Sequence, residues 1–333
     1  MLKSFADYYN FGQRQLLDQY IRYTTPDGVK RERRTTLQME LILNSEYGYS
    51  LGVKTHWNRK ELDKKDIWLG NLGPRTFEIH LYEGDLENHT PEIRETLEKL
   101  KKQTGLYVSI HEPLPLRYNG KPVDLSTTKK SYLENTKECL EALNSLCNDY
   151  GLFGFVAHPF GENNPSRDNY RSLLRNLKIE IDEDTKAKMF LENVKYFSTP
   201  ERMKDAYNLG CELCFDIAHA QILLGSDKLI EAIEDLSPIV RYYHLAGVDK
   251  DKHGFKIGLG VISWEKIVPF IRGHAILEVR SVDELDPFEM GLSLGTLRIT
   301  TNINEDVDLQ RILKNEELQR LLKKHGYEIF TFL

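Results

Sequence analysis

One three-part unit recurs along most of the chain of 333 residues. It consists of a short run rich in β-branched and aromatic residues, a polar turn and an amphipathic stretch. Eight such runs are predicted to be strands, at 50–55, 76–82, 106–111, 154–160, 188–194, 212–219, 240–245 and 275–280. Helical spacing of apolar residues fills most intervals, at 91–103, 131–150, 169–177, 200–208, 228–234 and 264–271. Strands that alternate with helices indicate a parallel sheet with crossover helices.

Eight strand–helix units predict an α/β fold of the (β/α)₈ TIM barrel type, for which ~250 residues is typical. An open doubly wound sheet is the alternative, but no Gly-x-Gly-x-x-Gly turn follows the first strand. We expect the barrel to occupy residues 46–285. Residues 1–45 are expected to form an N-terminal helical extension, with helices at 13–23 and 36–44 around a Pro-Asp-Gly turn. Residues 286–333 are expected to form a C-terminal helix (310–325) and a tail that packs on the barrel.

The composition is that of an ordinary globular protein, with 40% hydrophobic and 29% charged residues. A formal net charge of −6 gives no sign of the basic excess that nucleic-acid binders carry. The sequence has no apolar run long enough to span a bilayer, and its N-terminus lacks the apolar core of a signal peptide. Four cysteines do not suggest a disulfide framework, so we expect a cytoplasmic protein without a membrane partner.

Metal-ligating side chains interrupt or end the third to eighth of these apolar runs in succession. They are His111, His158, Glu192, Asp216, His244 and Glu278. Burying an ionised carboxylate in such a run costs several kcal/mol unless it is paired or bound to a metal. Because the carboxyl ends of the strands meet at one mouth of a TIM barrel, the set predicts a metal centre there. His219, Asp251 and His253 follow the sixth and seventh strands and extend the set.

The types of ligand restrict the metal. Five imidazoles and four carboxylates, without a thiolate, suit zinc or manganese better than calcium or magnesium. Nine ligands are more than one ion can use, so two or three ions are expected. Three divalent cations would outweigh the four carboxylates, and a positive pocket of this kind favours an anion such as phosphate.

A resemblance to a known superfamily rests on seven motifs in this order: Ile-His111-Glu-Pro, Val-Ala-His158-Pro-Phe-Gly, Leu-Glu192-Asn, Asp216-Ile-Ala-His219, His244-Leu, Asp251-Lys-His253 with Gly-Leu-Gly260, and Leu-Glu278. Together they resemble the xylose isomerase-like TIM barrel superfamily, and within it the endonuclease IV branch (AP endonuclease family 2). The resemblance covers roughly residues 46–285.

The resemblance implies a DNA-repair hydrolase that cleaves a phosphodiester 5′ to an abasic site and holds three zinc ions. His111 and His158 would hold the first ion, and Glu192 would bridge it to the second. The other implied ligands are Asp216, His244 and Glu278 for the second ion, and His219, Asp251 and His253 for the third. Glu192 and Glu278 are the candidate catalytic residues, with Glu278 orienting or deprotonating the nucleophile. Arg280 shares the strand parity of Glu278 and is a candidate substrate-binding residue.

The substrate stays open between abasic-site DNA and a small phosphorylated or sugar molecule. The first strand lacks the glycine- and serine-rich loop with which the endonuclease family grips DNA. The alternative function is a sugar isomerase or epimerase of the same superfamily, with one Mn²⁺, Mg²⁺ or Co²⁺ at Glu192, Asp216, His244 and Glu278. Such an enzyme does not need His111, His158 and His253 as ligands. A third hypothesis is a non-catalytic barrel that binds a metal or a partner, but such a protein would be expected to have lost some of the ligand residues. Glu78 and His80 also share an inward parity, and we interpret them as a core polar pair.

Overall fold

The computed structural model describes residues 14–24, 30–41, 49–56, 76–88, 91–101, 107–161, 166–249, 252–255, 261–278 and 297–302. The chain divides into two compact units. One consists of Leu43–Glu284, and the other combines Met1–Ile42 with Leu285–Leu333.

The described strands, in chain order, are β1 (Arg14–Thr24), β2 (Lys30–Leu41), β3 (Tyr49–His56), β4 (Thr76–Tyr82), β5 (Tyr107–Leu114), β6 (Arg117–Tyr118), β7 (Lys121–Pro122), β8 (Gly154–Ala157), β9 (Met189–Glu192), β10 (Glu212–Asp216), β11 (Tyr242–Leu245), β12 (Gly247–Asp249), β13 (Lys252–Phe255), β14 (Gly273–Leu277) and β15 (Leu297–Asn302). The described α-helices are α1 (Asp85–Asn88), α2 (Pro91–Lys101), α3 (Lys130–Tyr150), α4 (Arg167–Ile179), α5 (Glu183–Lys188), α6 (Pro200–Tyr207), α7 (Ile217–Leu224), α8 (Ser226–Leu236) and α9 (Trp264–Ile267).

A closed parallel barrel forms the larger unit. Its strands follow one another as β3, β4, β5, β8, β9, β10, β11 and β14, and β14 pairs with β3 to close the ring. Each pair of neighbours is parallel. The eight predicted strands and the predicted TIM barrel are therefore confirmed. The carboxyl ends of all eight strands lie at the same end of the barrel, which forms its mouth.

Side chains fill the barrel interior beneath that mouth. Val156, Phe190, Cys214, Tyr242 and Ile276, one from each of five strands, form a buried cluster in which no residue is more than 4% exposed. The ring of Tyr242 stacks on that of Phe190 with their centroids 4.7 Å apart. The site above this cluster therefore rests on a close-packed floor.

The six predicted helices are present in the barrel unit, and the last of them continues into a 3₁₀ turn at Val268–Phe270. Helices α1, α5 and α7 are additional. The predicted strand at 212–219 ends at Asp216, because the side chain of Asp216 accepts a hydrogen bond from the backbone N–H of His219 (2.7 Å) and caps α7. The apolar run that follows Asp216 therefore continues as a helix.

The prediction of an N-terminal helical extension is wrong for the described residues. Residues 13–23 and 36–44, expected to be helical, fall largely on β1 and β2, which pair antiparallel from Arg14↔Glu40 to Thr24↔Lys30. The Pro-Asp-Gly turn lies between a run with tyrosine, isoleucine and threonine and a run with two threonines, and a turn between such runs is typical of a hairpin. Pairing of the two strands across this turn overrides the helical spacing.

The C-terminal segment contributes β15, which pairs antiparallel with β2, so the smaller unit contains a three-stranded sheet in the order β1-β2-β15. The predicted helix at 310–325 lies outside the described residues, and packing of the tail on the barrel stays a prediction. Every helix of the described part of the chain is too short or too polar to cross a membrane.

Candidate metal centre

Six of the predicted ligands converge at the mouth of the barrel. Each lies in the carboxyl-terminal part of a different strand or just beyond its end, from β5, β8, β9, β10, β11 and β14 in turn. His111, Glu192, Asp216 and His244 are at most 2% exposed. The parallel register places candidate ligands of neighbouring strands at the same height in the barrel, since Asp216 of β10 pairs with His244 of β11. The shared strand ends therefore place these side chains together, as the sequence predicts.

The first cluster consists of His111, His158 and Glu192. The Nε2 atoms of His111 and His158 lie 3.5 Å and 3.3 Å from Glu192 Oε2. These gaps exceed the usual length of a hydrogen bond between imidazole and carboxylate, which is about 2.7–2.9 Å. They match instead the edge of a tetrahedron of ligands around zinc, about 3.3–3.4 Å for bonds of about 2.0–2.1 Å.

The second cluster consists of Glu192, Asp216, His244 and Glu278. His244 Nδ1 lies 3.6 Å from Glu192 Oε1, 3.6 Å from Glu278 Oε2 and 4.0 Å from Asp216 Oδ2. Within this cluster, as within the first, the candidate ligand atoms all lie within 4.8 Å of one another. Glu192 belongs to both clusters and directs one carboxylate oxygen to each.

His219 joins this constellation from the first turn of α7. Its Nε2 lies 3.4 Å from Glu192 Oε1 and 3.9 Å from Asp216 Oδ2. Asp251 and Arg280 lie outside the described residues, and only the backbone of His253, in β13, is described. A third ion on His219, Asp251 and His253, and a substrate contact from Arg280, thus stay predictions.

Glu112 orders both imidazoles of the first cluster. Its side-chain oxygen Oε1 accepts from Nδ1 of His158 at 2.6 Å, and its backbone carbonyl accepts from Nδ1 of His111 at 3.0 Å. Glu112 is 1% exposed. Each ring is thereby fixed with Nε2 towards Glu192, which is the orientation that a metal ligand needs.

Glu78 plays the corresponding part beside the second cluster. Its Oε2 accepts from Nε2 of His244 at 2.8 Å and from the hydroxyl of Tyr242 at 2.8 Å, and Glu78 is fully buried. The bond to Nε2 leaves Nδ1 of His244 directed at the carboxylates. The interpretation of Glu78 as half of a core polar pair missed this bond, for which the only sequence signal is a carboxylate of inward parity in an apolar strand.

The sequence patterns assign no role to Lys54 or Asn193. Lys54 Nζ donates to Glu278 Oε1. Burial lowers the pKa of Lys54, but the carboxylates of Glu278, Glu78 and Glu192 together outweigh this effect and raise the pKa. Asn193 Nδ2 donates to the carbonyl of Asp216 at 2.9 Å, and its Oδ1 accepts from the N–H of Asp216. The amide thus extends the pairing of β9 and β10 by side-chain bonds and fixes the backbone of Asp216. The contacts of Lys54 and Asn193 are with residues distant in sequence, so no local pattern predicts them.

The buried charges stabilise one another. Burial opposes ionisation of Glu192, but His158 and His244 hold the pKa of this carboxyl well below its usual range. Burial also opposes protonation of His244, but the carboxylates of Glu78, Glu192 and Glu278 raise its pKa well above the ordinary value. The carboxylates thus favour positive charge at this place, which divalent cations would supply, and uptake of a metal by a protonated imidazole would release its proton.

The residues present fit a divalent metal. Among the described residues, the buried atoms Glu192 Oε2 and His244 Nδ1 have no hydrogen-bond partner. An unsatisfied buried polar atom costs about 1–3 kcal/mol, and coordination would satisfy both atoms. Nitrogen and carboxylate ligands, with neighbouring acceptors already orienting the imidazoles, are the donor set of zinc and manganese.

The fold and this site define a TIM barrel with a histidine and carboxylate cluster at the carboxyl-terminal mouth. The chain belongs to the xylose isomerase-like TIM barrel family, whose model matches residues 68–294. A search of curated proteins finds no match to the sequence.

Solved structures of similar fold include sugar epimerases and an endonuclease. A D-tagatose 3-epimerase-like protein has a TM-score of 0.56 and 18% identity, covering 84% of this chain and 100% of its own. The 3-keto-D-glucoside 4-epimerase of E. coli has a TM-score of 0.53 and 17% identity, covering 74% and 98%. Endonuclease IV of Thermus thermophilus has a TM-score of 0.51 and 16% identity, covering 74% and 98%. At these identities the likeness establishes the fold alone.

Proposed function

We propose that this protein is a metal-dependent phosphodiester hydrolase resembling endonuclease IV, which cleaves DNA 5′ to abasic sites at a centre of two or three zinc ions. The observation that carries the proposal is the position of Glu192. One of its oxygens faces His111 and His158, and the other faces His219 and His244. A carboxylate with imidazoles on both sides is suited to bridge two ions, and paired ions are typical of phosphodiester hydrolysis.

Zinc bound in this centre would supply Lewis acidity and lower the pKa of water at neutral pH. The residues of the chain would hold and orient the reactants. One oxygen of Glu278 accepts a hydrogen bond from Lys54, and the other is directed towards His244. A carboxylate held in this way is suited to orient the attacking water and to accept its proton. Lys54 places a positive charge beside that carboxylate, which would favour an anionic substrate.

The test combines elemental analysis with an incision assay on a DNA duplex that contains one abasic site. We expect two to three zinc atoms per chain and a nick 5′ to the abasic site, and His158→Ala should lose both incision and the ion of the first cluster. An undamaged duplex of the same sequence is the substrate control. Wild-type protein with a full zinc complement and no incision would contradict the proposed substrate, and protein that binds no divalent ion would contradict the whole proposal.

One observation favours a sugar isomerase or epimerase as the second candidate. The second cluster alone offers three carboxylates and one imidazole, Glu192, Asp216, Glu278 and His244, enough ligands for a single Mn²⁺ or Mg²⁺. Two of these carboxylates, beside a ketose, would transfer a proton between its carbon atoms. This candidate predicts about one ion per chain and exchange of a ketose hydrogen with deuterium oxide, both unaffected by His111→Ala. The hydrolase predicts that His111→Ala removes an ion and abolishes incision.

A further inference from the structure

We infer that Glu112 and Glu78 are positioning residues, each serving one of the two metal-ligand clusters, and that together they set the affinities of the two sites separately. This inference rests on the proposed metal centre and adds two side chains that are not themselves candidate ligands. Both carboxylates are buried, at 1% and 0% exposed. A buried carboxylate needs a strong partner, and in both cases the partner is the far nitrogen of a candidate metal-ligating histidine.

The geometry separates two kinds of contact on each imidazole. In His158, Nδ1 lies 2.6 Å from Glu112 Oε1, whereas Nε2 lies 3.3 Å from Glu192 Oε2. In His244, Nε2 lies 2.8 Å from Glu78 Oε2, whereas Nδ1 lies 3.6 Å from Glu192 Oε1. One nitrogen of each ring therefore makes a charge-assisted hydrogen bond. The other lies 3.3–3.6 Å from a carboxylate oxygen, close to the distance between two ligands of one metal ion.

As neutral metal ligands, the two rings would be held in opposite tautomers. An N–H directed at Glu112 requires the Nδ1–H form of His158, which leaves the Nε2 lone pair for a metal. An N–H directed at Glu78 requires the Nε2–H form of His244, which leaves the Nδ1 lone pair. A ring held with its lone pair towards the cluster loses less freedom when it binds an ion, so removal of the acceptor weakens binding.

Glu78 is itself held in place by a chain of hydrogen bonds that extends to the barrel floor. The hydroxyl of Tyr242 donates to Glu78, and Ser109 Oγ donates its one proton to the oxygen of that hydroxyl, with the carbonyl of Phe77 as the alternative acceptor at 3.2 Å. His244 is thereby connected through Glu78 to the packed core. Glu112 has no such chain among the described residues, but its Oε1 also accepts from the backbone N–H of His158.

The experiment measures divalent zinc binding to the full chain by calorimetry with chelator competition, for wild type, Glu78→Gln and Glu112→Gln. Each amide keeps the shape and an acceptor oxygen but removes the charge. We expect each variant to weaken one class of zinc site by about 10–100-fold and the other by a clearly smaller factor, transmitted through the shared Glu192, with the two variants affecting different sites most. Tyr242→Phe is the matched control, because it removes one bond to Glu78 but keeps the Glu78–His244 pair; its effect should be smaller than that of Glu78→Gln.

A second readout needs no metal. In apo protein with ¹⁵N-labelled histidine, NMR should find the Nδ1–H of His158 and the Nε2–H of His244 shifted downfield and protected from exchange by their hydrogen bonds to carboxylates, whatever the charge of the rings, and each Gln variant should disturb the signal of its own histidine only. Circular dichroism and thermal unfolding in the presence of chelator confirm that the variants are folded. Equal weakening of both sites by either variant, or unchanged affinities in both, would overturn the inference while leaving the hydrolase proposal intact. Wild-type protein that binds no zinc would overturn both.

Discussion

Glu192 is the residue that joins the two clusters, because its oxygens face imidazoles on opposite sides at 3.3–3.6 Å. Glu192→Gln replaces one acceptor oxygen by an NH₂ group, which cannot ligate a metal. We predict that this one substitution weakens the binding of both ions, by about 100-fold each, whereas His158→Ala weakens chiefly the binding of the ion in the first cluster. Elemental analysis after dialysis against a weak chelator measures the outcome.

Thermal unfolding of the same two variants without metal serves as the folding control. Retention of either ion at wild-type affinity in folded Glu192→Gln would contradict a bridging position for this carboxylate.

His274 gives a pH-dependent prediction at the opposite end of β14 from the site. Burial lowers the pKa of this imidazole to about 4, from 6.5 as the ordinary value, and its Nδ1 lies 2.9 Å from Thr76 Oγ1. The unfolded chain therefore takes up a proton near pH 6.5 that the folded chain takes up only near pH 4. The stabilisation is complete above pH 6.5 and is lost as the pH falls towards 4, by at most about 3 kcal/mol and less where water reaches the ring.

Urea unfolding at pH 7 and pH 5 should show a smaller loss of stability in His274→Gln than in wild type. Thr76→Val, which removes the hydrogen-bond partner but keeps the titrating ring, should retain most of the wild-type pH dependence. An identical pH dependence in wild type and His274→Gln would exclude this residue as the source.

The positions of the candidate ligands were predictable from the sequence, since a histidine or carboxylate that interrupts or ends an apolar run is a local signal. His111, His158, Glu192, Asp216, His244 and Glu278 all carry this signal, and the structure brings them together. The supporting residues carried weaker signals. Glu112 directly follows a candidate ligand, and Glu78 precedes His244 by 166 residues, so their hydrogen bonds become visible only when the barrel closes.

At the scale of the elements, the eight barrel strands were predictable because parallel strands buried on both faces appear as short apolar runs between helices. The two N-terminal strands were not. Their pattern of apolar residues satisfies a helical period, and the tertiary pairing from Arg14↔Glu40 to Thr24↔Lys30 decides the outcome. Helix α7 was missed because its apolar sequence continues the preceding strand, and only the cap from Asp216 marks its start.

Close approach of two barrel strands makes Gly273 a sensitive position. Its φ is +77°, and an added Cβ would lie 2.3 Å from the carbonyl oxygen of Arg241, which also accepts from the N–H of His274. Gly273→Ala should destabilise the protein by about 1–2 kcal/mol for the left-handed backbone and by a further 1–3 kcal/mol, approximately, for the overlap. Chemical unfolding measures the change.

Gly120 supplies the matched control, with a φ of +68° and no atom within 4 Å of an added Cβ. Gly120→Ala should cost only the backbone contribution, about 1–2 kcal/mol. Equal losses for the two alanine variants would show that the neighbouring strand can move aside.

At the scale of the whole molecule, the larger unit contains every strand of the closed barrel and both clusters, and its sheet shares no strand with the sheet of the smaller unit. We predict that a chain shortened to residues 43–284 folds cooperatively and binds zinc with an affinity within about tenfold of the full chain, because the ligands and their acceptors lie within it. Thermal unfolding and zinc titration of the shortened and full chains, side by side, provide the measurement. A shortened chain that is folded but has lost one ion would assign a ligand to the smaller unit.

A carboxylate with one oxygen in each cluster has a thermodynamic consequence for a centre that holds two ions. The two loading equilibria are then not independent, and the factor by which the first ion changes the affinity for the second must equal the factor in the reverse order. A stepwise titration would report macroscopic constants that belong to the pair, as with interacting titratable groups. The occupancy of the centre would consequently depend on the free ion concentration in a way that neither half alone determines.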